Sequence, residues 1–175
     1  MKFVTSVDIT PSVKKISYSD KILLLGSCFA DNIGAKFGEH YFQTTVNPYG
    51  TLYNPASIAK ALSGVVNREM GIGIVQHNGL WHSFSHHGSF SRTDKEDLVR
   101  ACEQSRVQLC VALQQATTVM VTFGTAWVYE YEGEVVANCH KLPANQFVRR
   151  RLTVNEIVAM WQPIIDAMPD KHWIF

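Results

Sequence analysis

Two stretches of the chain, KILLLG (residues 21–26) and TTVMVTF (residues 117–123), are apolar with almost no polar alternation. That is the pattern of strands buried on both faces of a parallel sheet. One ends on Gly26 and the other is followed by Gly124. Beyond the first, Phe29, Ile33 and Phe37 recur every fourth residue. This spacing predicts a helix whose apolar stripe faces the strand, which puts Gly26 and Ser27 on a strand-to-helix turn. Residues 44–49 read as a further strand. Asn54-Pro55 predicts an N-cap with Pro at the first helical position, opening a helix to about Val66. Asn78-Gly79, inside an apolar stretch from Gly73 to Phe84, is the sequence of a tight hairpin. Thr93 with Glu96 predicts a capping box and a long helix to about Ala116. Trp127 to Asn138 alternates around Glu132-Gly133 as a second hairpin. Thr153 with Glu156 predicts another capping box, with a helix to about Met168. The first twenty residues read as an irregular lead-in, and His172 to Phe175 as the start of a strand.

Strands alternating with helices predict an α/β fold: an open, mainly parallel sheet with helices on both faces and inserted β-hairpins. No repeat or linker divides residues 1–175, so the chain reads as a single domain. In such sheets ligands sit beyond the carboxyl ends of the strands, where the strand order reverses. The two glycine-terminated strand ends, Gly26-Ser27 and Gly124-Thr125, are therefore expected to share one site.

Composition narrows the function. The 175 residues carry 16 Lys+Arg against 15 Asp+Glu, and 46% are hydrophobic, which excludes a disordered or fibrous chain. With a net charge of +1 and no basic stripe, nucleic acid is not an expected partner. Arg149-Arg150-Arg151 reads as a solvated loop. No segment has the unbroken apolar length of a membrane span or an export signal. Cys28, Cys102, Cys110 and Cys139 lack C-x-x-C spacing, so free thiols and a cytoplasmic location are expected.

Ser27 is the first candidate for chemistry. At a strand-to-helix turn its hydroxyl lies at the carboxyl edge of the sheet, with backbone N–H and helix dipole facing any developing negative charge. The bland alternative is an N-cap and nothing more. Its neighbours alter that balance. Gly26-Ser27-Cys28-Phe29-Ala30 is the motif of the GSCFA family, and the chain resembles that family in further blocks: NPYGTLYNP from Asn47, SFSHH from Ser83 with Phe90-Ser91, GTAWVY from Gly124, and VANCHKLP from Val136. The resemblance runs over roughly residues 20 to 175.

It implies an SGNH-hydrolase-like (GDSL-like) fold, a flavodoxin-like three-layer α/β/α arrangement whose members cleave acyl or acetyl esters of carbohydrates and lipids. Ser27 then matches the nucleophile, and Gly50 the glycine whose N–H joins that of Ser27 in an oxyanion hole. The third block of that superfamily reads G-x-N-D, whereas this chain has Gly124-Thr125-Ala126-Trp127, so the Asn donor is missing. Thr125 or Asn138 is the stand-in donor. The superfamily's D-x-x-H base is also missing: Asp170-Lys171-His172 is one residue short. Family members continue further, so the C-terminal part of the fold is expected to be missing, with little esterase activity at this length. An exposed sheet edge near Trp173 would then favour a homo-oligomer. His87 and His140 are the candidates for a substitute base or substrate contact, with polar rim or core residues as the bland alternative. His82 and His86 would be about 13 Å apart along a strand, too far to share a metal, and Cys139-His140 adds no ligand spacing. No metal or cofactor is expected. Cys28 reads as a small buried residue, and Phe29, Trp127 and Tyr129 as core or pocket wall. The expected ligand is a small-molecule ester or a carbohydrate. The competing reading is a non-catalytic acyl- or carbohydrate-binding module on the same fold.

Overall fold

A computed structural model describes residues 8, 10–67 and 73–175. Its centre is a sheet of four strands: β1 (Lys21–Gly26), β2 (Gln43–Val46), β5 (Thr118–Thr122) and β9 (His172–Ile174), in the order β2-β1-β5-β9. All three pairings are parallel. Counting only these strands along the chain, the order is second, first, third, fourth. The chain direction across the sheet thus reverses between β1 and β5, which leaves a crevice beyond their carboxyl ends.

Alternate residues of the central strands feed two apolar layers, as a strand's two-residue period requires. Ile22 and Leu24 face α1 (Cys28–Glu39), where they meet Ala30, Ile33 and Phe37. Leu23, Leu25, Val119 and Val121 face the opposite layer, built on α2 (Pro55–Asn67), α3 (Lys95–Gln115) and α4 (Val154–Asp166). Helix, sheet and helices make three layers, as expected. Trp161 of α4 fixes one corner, its ring N–H donating to Pro55 O (3.2 Å).

Two antiparallel units are inserted. The hairpin β3 (Ile74–His77) and β4 (Leu80–Ser83) turns at Asn78-Gly79, both with positive φ (49° and 75°), the geometry those residues favour. The second is a three-stranded sheet of β6 (Trp127–Tyr131), β7 (Glu134–Val136) and β8 (Phe147–Arg151), in the order β7-β6-β8.

Four expectations need correction. Residues 149–151 are not a loop but lie in β8, where Arg150 joins Glu130 of β6 to Glu156 of α4 (2.6 Å each). The third helix is capped by Asp94, whose Oδ1 accepts from Asp97 N, and not by Thr93. A carboxylate one residue later competes for the same orphan N–H groups and adds charge to the helix dipole. Cys28 is exposed rather than buried. Phe29, Trp127 and Tyr129, expected as core or pocket wall, are 59%, 41% and 42% exposed, which overturns the core half of that expectation. The stripe of α1 is instead Ala30, Ile33 and Phe37, and Phe29 in the first turn stays exposed. Among the described residues no helix is long and apolar enough to cross a membrane.

Candidate active site

β1 ends at Gly26 with φ +142°, a conformation restricted to glycine. Ser27 follows as N-cap of α1, its Oγ accepting from Phe29 N (3.3 Å). Beside it runs the end of β5. Ser27 N–H donates to Thr122 Oγ1 at 3.3 Å, and a methyl group placed on Gly124 would lie 3.5 Å from Ser27 Cβ. The loop after β2 closes a third side: Leu52 N–H donates to Gly26 O (2.9 Å), while Gly124 and Thr125 N–H both donate to Tyr53 O (2.9 and 3.1 Å). Thr125 Oγ1 accepts from Trp127 N (3.0 Å). The sequence-derived pairing of Gly26-Ser27 with Gly124-Thr125 is therefore a spatial one.

Asn47 ties this corner together. Its Oδ1 accepts from Gly26 N (2.8 Å), its Nδ2 donates to Asp31 Oδ1 (2.6 Å), and its backbone N–H donates to Leu24 O (2.9 Å). It holds φ +42°, a left-handed conformation Asn tolerates well. Asn47→Ala would leave Gly26 N–H buried without an acceptor and free Asp31. We expect a loss of about 3 kcal/mol, measured as a shift in urea midpoint. The sequence places Asn47 at the head of the NPYGTLYNP block without indicating this clasping role.

Gly50 stands on the far side of the same loop. Its φ is +74°, and a Cβ there would meet His87 Cβ at 2.3 Å, so glycine is required twice over. Its N–H donates to Asn47 O (2.7 Å), closing a turn. His87 N–H donates to Tyr49 O (3.0 Å), and its Nδ1 takes the N–H of Ser89 (3.3 Å) and contacts Ser89 Oγ (3.0 Å). Accepting at Nδ1 places the ring proton of neutral His87 on Nε2, so the outer nitrogen is a donor. Next along, Gly88 abuts Asn138: a Cβ on Gly88 would be 3.6 Å from Asn138 Nδ2. Asn138 Oδ1 accepts from His140 N (2.8 Å), while its Nδ2 has no partner among the described residues. Gly50, His87 and Asn138 thus line up as one contact chain.

His140 belongs to the interior. It is 8% exposed, donates Nε2–H to Ser83 O (2.7 Å) and stacks on His82 at 4.6 Å. Burial pulls its pKa down. Among the described residues no hydrogen bond joins Ser27 Oγ to a histidine or carboxylate, and no group of three His, Cys, Asp or Glu side chains is placed to hold a metal.

His86, beside His87, is 2% exposed and fully bonded. Ser105 Oγ spends its proton on Cys102 O (2.8 Å), so it accepts from His86 Nε2–H (3.0 Å), and Ser83 Oγ donates to Nδ1 (2.8 Å). Burial, helped by the nearby His140, pushes the His86 pKa from 6.5 down to about 4. The unfolded chain therefore takes up this proton at a higher pH than the folded one. Stability fully present above pH 6.5 should drain away as pH falls toward about 4, by an amount on the order of 3 kcal/mol. Urea midpoints at about pH 7 and about pH 5 check this, with His86→Gln expected to show a smaller drop.

A family model described as the GSCFA family matches residues 21–173. No curated protein and no solved structure matches the chain.

Proposed function

The chain belongs to the GSCFA family, and we propose that it is an SGNH-like serine hydrolase scaffold acting on acyl or acetyl esters of a carbohydrate or lipid. The observation that carries this reading is the position of Ser27 at the strand-order reversal, with the loops of Gly50 and Gly124 converging on it. Ser27 Oγ bonds to the acyl carbon and loses its proton to solvent while the carbonyl π pair moves to oxygen. That pair returns as the bond to the alcohol oxygen breaks, and the alcohol leaves with a proton taken back from solvent. Water then adds to the acyl-serine, and breaking of the Oγ–acyl bond gives the acid and restores the serine hydroxyl.

Four donors suit the oxyanion unequally. The N–H of Ser27 is held only by a 3.3 Å contact and can turn to a stronger acceptor. Asn138 Nδ2 is uncommitted and replaces the missing block-three Asn. Gly50 N–H is tied at 2.7 Å to Asn47 O, so its main part is to give His87 room. Thr125 Oγ1 accepts from Trp127 N, which fixes the oxygen and leaves its own O–H free to donate. With its proton on Nε2, His87 suits a donor role toward substrate, and buried His140 suits neither role.

No base among the described residues contacts Ser27, so unassisted attack is slow. General-base help is worth about 10²–10⁴-fold. Hydrolysis of a short-chain aryl ester panel should therefore be weak and should rise with added imidazole. A panel in which imidazole accelerates wild type and Ser27→Ala equally would overturn the nucleophile role.

The engaged N–H of Gly50 and the unaccompanied Ser27 hydroxyl favour a second reading, an acyl- or carbohydrate-binding module. It predicts saturable binding of acetylated sugars with no covalent adduct under any base concentration.

A further inference from the structure

A second recess lies away from Ser27, between α2, α3 and β7, with a volume of about 140 Å³. None of Ser27, Gly50 or Gly124 lines it. Ala61, Phe84, Val135 and Ala137 give it apolar walls. Two cationic side chains, Lys60 and Arg106, also line it, and no carboxylate does. Their partners Glu134 and Glu103 approach from outside that lining.

Two hydroxyls on the lining lack partners. Tyr49 is 9% exposed, its ring stacked on His86 at 4.3 Å, and its hydroxyl bonds to nothing among the described residues. Ser57 Oγ is buried and also without a partner. Buried polar groups are normally satisfied, so the unpartnered Ser57 hydroxyl calls for a ligand atom, and the Lys60 and Arg106 side chains on the same lining favour one that carries negative charge. His86 does not compete, because Ser83 and Ser105 already fill both ring nitrogens.

We propose that this recess binds a short-chain aliphatic carboxylate of about four carbons, its tail against the apolar walls and its carboxylate among the Tyr49 hydroxyl, Lys60 and Arg106. The size follows from volume: a cavity of about 150 Å³ takes benzene, which has six heavy atoms, as does butyrate. An alcohol of the same length would fill the same walls but bring no negative charge to Lys60 and Arg106, whose glutamate partners lie outside the recess. The site goes beyond the Ser27 reading and does not depend on it.

The test is a titration of the full chain with sodium butyrate, followed through the backbone amide resonances of Ala61 and Ala137, against sodium chloride at equal ionic strength. Saturable shifts with butyrate, and weaker ones with butan-1-ol, are the expected result. Tyr49→Phe should weaken butyrate binding by about tenfold, the loss of one hydrogen bond to a charged group. Lys60→Met, at a half-exposed position with little bearing on folding, should weaken butyrate while leaving butan-1-ol unchanged. Ala61→Leu should block both, and Ser27→Ala should change neither. Absence of saturable shifts with butyrate, equal binding by Tyr49→Phe and wild type, or preference for butan-1-ol would each overturn the proposal. Because the readout is binding, a failed esterase assay leaves it standing.

Discussion

Gly26→Ala is expected to be among the most damaging single substitutions in the chain, costing about 4 kcal/mol or preventing folding. Two independent penalties meet there. The position has φ +142°, which an L side chain rarely adopts. A Cβ would also sit 2.4 Å from Thr122 O and 2.2 Å from Thr122 Oγ1, and the backbone oxygen cannot swing away. Backbone strain of this kind is worth about 1–3 kcal/mol, and overpacking a similar amount. The damage falls on the β1–β5 junction, where the Gly26–Thr122 pairing closes the ladder and Ser27 begins α1. Urea denaturation of soluble protein, or its failure to accumulate, is the readout. Gly38→Ala is the control: nothing lies within 4 Å of a Cβ at that exposed helical position, so no loss is expected.

Ser27 carries the second large effect. Removing its hydroxyl is expected to abolish imidazole-assisted acyl transfer, a fall of at least about 100-fold to the background of buffer and imidazole. Its structural role is modest by comparison. As N-cap it satisfies one N–H, and Ser27→Ala should cost about 1 kcal/mol of stability. Ser27→Gly separates the two roles, since glycine caps nearly as well as serine yet has no nucleophile. Loss of reactivity in both variants, with stability preserved in Ser27→Gly, assigns the effect to chemistry. If reactivity tracks stability instead, Ser27 is an N-cap and nothing more.

The buried strands, the Asn78-Gly79 turn, the Asn54 cap and the Thr153–Glu156 box were legible because each rests on local rules. β8 was not. FVRRR has no apolar alternation, and it becomes a strand only because β6 offers an edge and Glu130 and Glu156 receive Arg150. Phe29 shows the converse failure. It keeps the helical spacing of Ile33 and Phe37, yet in the first turn of α1 it is 59% exposed and takes no part in their cluster.

In the site, Ser27 and the convergence of the two glycine-terminated strand ends could be read from sequence, because sheet topology sends such ends to one crevice. The parts that depend on three-dimensional contact could not. Asn47 as the clasp on Gly26, the role of Gly50 in admitting His87, and the tautomer of His87 set by Ser89 all depend on residues distant in sequence or on ring orientation. For His140 the sequence leaves base, substrate contact, rim and core all open, because nothing local signals that Ser83 O lies 2.7 Å away in the interior.

Cys28 sharpens the central question. It is exposed and immediately follows Ser27, so a reactive-site assay must tell one neighbour from the other. Mass mapping of the adduct left by a serine-directed fluorophosphonate, with imidazole present, does so. The account predicts a single adduct on Ser27 that is absent from Ser27→Gly and undiminished in Cys28→Ala. An unlabelled Ser27 in folded protein, or a label that persists in Ser27→Gly, would contradict it.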